Sequence, residues 1–179
     1  MSLFDHDALQ IDRLESFSRD PLTIWTPSGR PVAVAEAASR RNIINWGPKA
    51  WRLVENGRTV MTIRDPRHLG RDKFVIEDAS GHRLAKVTLT IGTYALIVEV
   101  ADGFRLKTST AAGFGAATLF FHDDRKAAEV INPGEDAEPE RQVIRFAPSL
   151  PPLYRGAILG TAVIAQMLQH KSHLSDLLS

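Results

Sequence analysis

The chain contains no cysteine. Disulfide bridges, thiolate nucleophiles, cysteine-ligated zinc and palmitoylation are therefore excluded. A dominant charge sign is lacking too: 22 Lys and Arg stand against 21 Asp and Glu, for a net charge of +1. Nothing draws the whole molecule toward nucleic acid or an anionic surface, so any such attraction must be local. There is no aromatic-interleaved basic stripe, and nucleic acid is not an expected partner. Nor does the chain carry G-x-S-x-G, H-E-x-x-H, a Walker A loop or a complete G-x-G-x-x-G. Gly113-Phe114-Gly115-Ala116-Ala117-Thr118 starts like a dinucleotide loop but lacks the third glycine. Long apolar runs are scarce as well, with one exception.

That exception runs from Leu153 to His170. No charged residue interrupts Ala157–Ala165, and its apolar side chains cover every face of a helical wheel rather than one stripe. Such a helix must be surrounded on all sides. The uninterrupted run falls short of the ~20 residues that span a membrane, yet 16 or so residues give a helix of about 24 Å. Pro151 and Pro152 suit a helix start, and Lys171 lies near the end where the helix dipole favours positive charge. The run predicts a buried core helix, and the remaining chain must supply its wall.

The wall is written as a repeated hairpin. Leu22–Trp25 turns through Thr26-Pro27-Ser28-Gly29-Arg30 into Pro31–Glu36. Trp51–Val54 turns at Glu55-Asn56-Gly57 into Thr59–Ile63. Lys73–Ile76 turns at Asp78-Ala79-Ser80-Gly81 into Arg83–Thr88. Ala95–Val100 turns at Ala101-Asp102-Gly103 into Phe104–Lys107, and Thr118–Phe121 turns at His122-Asp123-Asp124-Arg125 into Lys126–Ile131. Asn, Asp and Gly stand where reversal requires positive φ or a side-chain cap. With Gln142–Phe146 this makes eleven strands, and Arg41–Trp46 offers a twelfth. A meander of that length must close to remove its edges. A barrel that wide cannot fill itself with its own side chains, and a central helix can. The predicted fold is mainly β: a closed antiparallel barrel of about twelve strands around the C-terminal helix.

Residues 1–20 read as an arm, with Phe4, Ala8, Ile11 and Leu14 at helical spacing. The barrel is expected over 21–171, with its central helix at 153–170, followed by a tail at 172–179. Residues 1–7 show neither a basic head nor an apolar run, so no secretory leader is expected. The expected location is the cytoplasm, peripheral to a membrane if the protein binds lipid.

Chemistry is sparse. Asp78, Asp102, Asp123 and Asp124 sit in hairpin turns, where Asp is explained by bonding its own backbone. His170 and His173 lie one turn apart without a third ligand, so no metal site is expected. Glu135, Asp136, Glu138 and Glu140 lack the ligand spacing of a calcium loop. No catalytic residue and no cofactor can be assembled. One loop stands out: Arg64, Arg67, Arg71 and Lys73 fall within ten residues, preceded by Arg40, Arg41, Lys49 and Arg52. Arginine forks bind phosphate in two-pronged fashion, so these four are the candidate ligand-binding residues for a phosphorylated headgroup. Asp65 and Asp72 neutralise part of that loop.

The order of hairpins, last strand and closing helix resembles the tubby C-terminal-like superfamily, nearest to its LURP-one-related and phospholipid scramblase branch. The segments that carry the likeness are Lys73–Leu84 and Arg145-Phe146-Ala147-Pro148 running into Arg155–Ile164. The resemblance implies a twelve-stranded barrel around a central helix, and it implies a binding role toward phosphoinositide or other phospholipid headgroups at a membrane surface. Scramblases carry an acidic calcium segment before the helix and a cysteine-rich stretch. This chain has Ala147-Pro148-Ser149-Leu150-Pro151-Pro152 there and no cysteine, which speaks against calcium-driven scrambling. The expectation is a non-enzymatic binding protein with an anionic phospholipid surface as its partner. The alternatives are a scaffold that displays its loops to a protein, or a scramblase-like membrane protein.

Overall fold

The structure is a computed structural model that describes residues 2–14, 21–38, 50–65, 73–89, 96–111, 117–132 and 140–177. One turn of 3-10 helix, Leu3–Asp5, precedes twelve strands and a helix. The strands are β1 (Ala8–Asp12), β2 (Leu22–Trp25), β3 (Pro31–Ala37), β4 (Ala50–Glu55), β5 (Arg58–Arg64) and β6 (Lys73–Asp78). They continue as β7 (Arg83–Leu89), β8 (Leu96–Val100), β9 (Arg105–Ala111), β10 (Ala117–His122), β11 (Arg125–Ile131) and β12 (Arg141–Phe146). The helix α1 spans Pro152–Leu177.

Each strand pairs antiparallel with its sequence neighbour, and β1 pairs with both β2 and β12, so the ring is closed. Period-two alternation decides which side chains face inward. In β6, Phe74 and Ile76 are buried while Val75 and Glu77 are not. In β7, Ala85 and Val87 are buried between Lys86 and Thr88. Four of the five hairpins carry a bulge beside the turn, at Ile24/Trp25, Leu53/Val54, Ile76/Glu77 and Phe120/Phe121. Bulges add twist and bend, which a sheet needs to curl closed.

The helix fills the ring. Tyr154 through Leu168 are buried on every face apart from partly buried Ala165. Gly160 packs on Ile76 of β6, while Gln166 Nε2 donates to Gln142 Oε1 of β12 at 3.2 Å. In the strand order β6 and β12 lie six apart in a ring of twelve, on opposite walls. A helix touching both runs through the interior.

The two ends of the barrel differ. All five tight hairpins, the 3-10 turn and the start of α1 gather at one end, the turn rim. Asn56 at φ 49 and Gly57 at φ 75 make one of these turns, a reversal of the type that matches strand twist. At the opposite end, the far rim, stand the strand ends joined through 13–21, 38–49, 65–72, 90–95, 112–116 and 132–140.

Two expectations need correction. The start of the chain is not an arm with an amphipathic helix: Ala8–Asp12 is a strand of the barrel, and among the described residues before it only Leu3–Asp5 is helical. Leu9 and Ile11 turn inward with polar Gln10 between them, and β12 supplies the pairing partner that settles the choice. The barrel wall thus begins at residue 8 rather than 21. The helix extends to Leu177, through most of the expected tail. The twelfth strand is β1; residues 41–46 lie outside the described residues.

Candidate functional site

Two of the four candidate phosphate-binding residues are described. Arg64 ends β5 and Lys73 opens β6, both at the far rim. Arg64 pairs with Val75 in register, and the inward burial of Ile63, Phe74 and Ile76 puts Arg64, Lys73 and Val75 on the outer face. Arg67 and Arg71 lie outside the described residues. Arg64 is not a free cation: its Nε lies 2.9 Å from Glu77 Oε2 of β6, a charge contact rather than a well-aligned hydrogen bond. Its side chain is 61% exposed, so the pairing contributes about 0–1 kcal/mol.

That contact belongs to a wider pattern on the outer wall. Arg52 pairs with Glu36 across β3 and β4 at 3.0 Å, so it is part of the wall. Glu99 of β8 sits between Lys86 (3.8 Å) and Arg105 (3.0 Å) on the strands flanking it. Opposite charges on adjacent strands stabilise pairing.

The turn aspartates occupy the roles their positions suggest. Asp78 Oδ1 accepts the backbone N–H groups of Ser80 (2.8 Å) and His82 (2.9 Å). Those bonds, that of His82 foremost, hold its carboxyl below the usual aspartate range. Asp123 and Asp124 both adopt positive φ in the β10–β11 turn. Asp102 does more than cap. Its Oδ1 accepts the Phe104 N–H at 3.1 Å, and its Oδ2 accepts the Tyr154 hydroxyl at 2.7 Å. The Tyr154 ring meets His122 edge-on at 5.0 Å, and His122 stacks obliquely on Phe104 at 4.8 Å. This cluster ties the first turn of the helix to two hairpins.

Burial, reinforced by Asp102, pushes the Tyr154 hydroxyl from 10.0 up to about 12. The folded chain thus holds this proton more tightly than the unfolded chain. The associated stability is fully present below pH 10 and is lost as pH rises from about 10 to about 12. Tyr154→Phe is expected to lower stability by about 1 kcal/mol at neutral pH. It should also lack that part of the alkaline decline, which urea titrations across the alkaline range would measure.

Two buried polar groups that sequence reasoning missed hold the helix. Arg155 is 5% exposed. Its Nε donates to Leu150 O (2.8 Å), Nη1 to His6 O (2.7 Å), and Nη2 to Asp7 Oδ1 (2.7 Å) and Pro148 O (3.0 Å). Gln166 does the same work toward the far rim. Its Oε1 accepts the Leu14 N–H at 2.8 Å, its Nε2 donates to Gln142, and Gln142 Nε2 donates to Asn132 Oδ1 at 2.7 Å. A charge and an amide flanking the uncharged run 157–165 were the available signal.

Among the described residues, no group of three or more His, Asp or Glu is placed to hold a metal ion. No helix among them is long and apolar enough to cross a membrane.

The fold has a counterpart in plants. The chain superposes on the X-ray structure of a protein from Arabidopsis thaliana with a TM-score of 0.60, over 90% of this chain and 91% of that one. The two are 13% identical, so the likeness establishes the shared architecture and nothing about activity. No protein-family model matches the sequence. No curated protein matches it.

Proposed function

We propose that the protein is a non-enzymatic, tubby-like binding protein whose far rim seats a phosphate-bearing headgroup of an anionic membrane surface. The observation that carries this reading is the division of labour between the two rims. The turn rim is occupied by tight hairpins, the 3-10 turn and the pinned start of α1. The strand ends that carry Arg64 and Lys73 belong to the far rim, and the chain between them contributes Arg67 and Arg71. The sequence between β3 and β4, whose facing strand ends stand at the same rim, carries Arg40, Arg41 and Lys49 without an acidic residue. On the outer wall below, Arg52, Arg64, Lys86 and Arg105 lie against carboxylates, and in sequence Arg40, Arg41, Lys49, Arg64, Arg67, Arg71 and Lys73 stand against Asp65 and Asp72. Guanidinium groups suit phosphate by geometry as well as charge. Asp78 and Asp102 are engaged as turn caps, which supports a binding role over acid–base chemistry.

Co-sedimentation with neutral and anionic vesicles, at low and high salt, tests the reading. Binding should be confined to anionic vesicles and fall with salt. At about 1 kcal/mol for each arginine near the surface, the Arg67→Ala/Arg71→Ala double variant should bind about thirtyfold more weakly. Unchanged binding by that variant, or equal binding to neutral vesicles, would overturn the proposal. Absence of binding to either vesicle would leave a protein-interaction scaffold in its place.

A further inference from the structure

One buried titratable group has no part in headgroup recognition. His6 is 8% exposed, and its Nε2 is buried without a hydrogen-bond partner. It belongs to the short segment, residues 2–7, that covers the start of the central helix. Leu3 in this segment is fully buried, and the Phe4 ring lies against Gly156. The Leu3 N–H donates to Glu55 Oε1 at 2.8 Å, and the Phe146 N–H donates to Asp7 O at 2.8 Å. Arg155 reaches across from α1 to the His6 carbonyl and the Asp7 carboxylate.

A neutral imidazole suits this position, because it carries a single N–H and its other nitrogen can stay bare. Imidazolium carries a proton on both nitrogens, and the one on Nε2 would be buried with nothing to accept it. Most charged groups around the segment already bond one another or the backbone. From α1 comes Arg155, itself a cation, bonded to the carbonyl of His6. Within the segment, Asp7 Oδ1 is taken by Arg155, and Asp5 Oδ2 accepts the Ser2 N–H at 2.6 Å. From β4, Glu55 is occupied by the Leu3 N–H. From β12, the residue opposite Ala8 is Arg145, another cation. Adding a proton to His6 therefore buries an N–H that has no acceptor, in a segment already tied to the Arg155 cation.

We infer that protonation of His6 unseats the 2–7 segment and uncovers the N-terminal end of the central helix, so that the turn rim carries an acid-operated latch. The latch stands on different residues from headgroup recognition and does not depend on it. The barrel wall keeps its strand pairing when the segment leaves, because the groups that lose partners are the helix start, the Glu55 carboxylate and the Phe146 amide.

Amide exchange of the whole protein, followed by NMR in steps from about pH 7.5 to about pH 3.5 and expressed as protection factors, tests this. Protection of the Leu3, Asp5 and Phe146 amides should drop by about tenfold or more on acidification, while Ile76 and Val87 in the wall keep theirs. In His6→Gln the drop should vanish. Unchanged protection in the wild type, or the same drop in His6→Gln, would overturn the inference. So would a drop centred near the ordinary aspartate value of about 4, which would assign the effect to Asp7. If His6→Gln unseats the segment at both pH values, the decision passes to the wild type. There the midpoint of lost protection must follow the titration of the His6 ring signal, and a midpoint that follows His82 or His122 of the same rim instead refutes the latch.

Discussion

Arg155→Met is expected to cost about 3–5 kcal/mol, among the largest effects any single substitution has on this fold. Methionine matches the stem of arginine in bulk and removes every donor. Three backbone carbonyls, those of His6, Pro148 and Leu150, would then lose their partner beside the helix start. An unsatisfied buried acceptor costs about 1–3 kcal/mol. The ion pair itself matters less, because the Asp7 side chain is 67% exposed and water replaces the lost contact. Asp7→Asn should therefore cost far less than Arg155→Met, at about 1 kcal/mol or below. Urea denaturation of the two variants checks the ranking. Equal losses would mean that charge, and not the bridging of carbonyls, holds the helix start in place.

Gly160→Leu should cost about 3 kcal/mol, the upper end of ordinary overpacking. A Cβ at position 160 would stand 2.7 Å from Ile76 Cδ1, 3.1 Å from Cγ1 and 3.2 Å from Cγ2. Ile76 is fully buried in a closed wall, so its side chain has little room to yield. The gain in helix propensity over glycine, about 1 kcal/mol, does not offset that. Combining Gly160→Leu with Ile76→Ala should recover part of both losses, with a coupling of about 1–3 kcal/mol in a double-mutant cycle. Strictly additive losses would show that the two residues do not share one space. Gly156 gives the contrast one turn earlier. Its added Cβ meets Phe4 at 3.5 Å and Leu84 at 3.6 Å, which is ordinary contact. Gly156→Ala should be neutral or stabilising by up to about 1 kcal/mol.

The wall was legible because its turns announce themselves. Asn56-Gly57 and Asp78-Ala79-Ser80-Gly81 mark reversals by local chemistry alone, and the strands between them alternate in the expected period. The helix was legible from its lack of a polar face. The first strand was not: in a window as short as Ala8–Asp12, helical and strand spacing both find support, and only pairing with β12, far along the chain, decides between them. Arg155 escaped notice for the same reason, since its acceptors at His6 and Asp7 lie almost the whole chain away. Of the candidate site, the composition of the loop after β5 was readable, but the diversion of Arg64 toward Glu77 was not. It arises from a cross-strand register that no local pattern of residues displays. In hindsight, period two in both strands puts each of them on the outer face.

The closed ring also sets an order of events during folding. Asp12 and Arg141 meet across the β1–β12 seam although they are 129 residues apart. A chain emerging from its N-terminus presents β1 long before β12 exists, so the first strand has a pairing partner on one side only while the hairpins form in succession. Each hairpin is a local and fast event, whereas sealing the seam must await the late strand and the helix around which the wall wraps. Until then two strand edges and the apolar inner face stay open to other chains. The interval before the seam shuts is when this protein is most exposed to misassembly, and substitutions that weaken the β1–β12 pair should lower the yield of folded protein more than they lower its stability once folded.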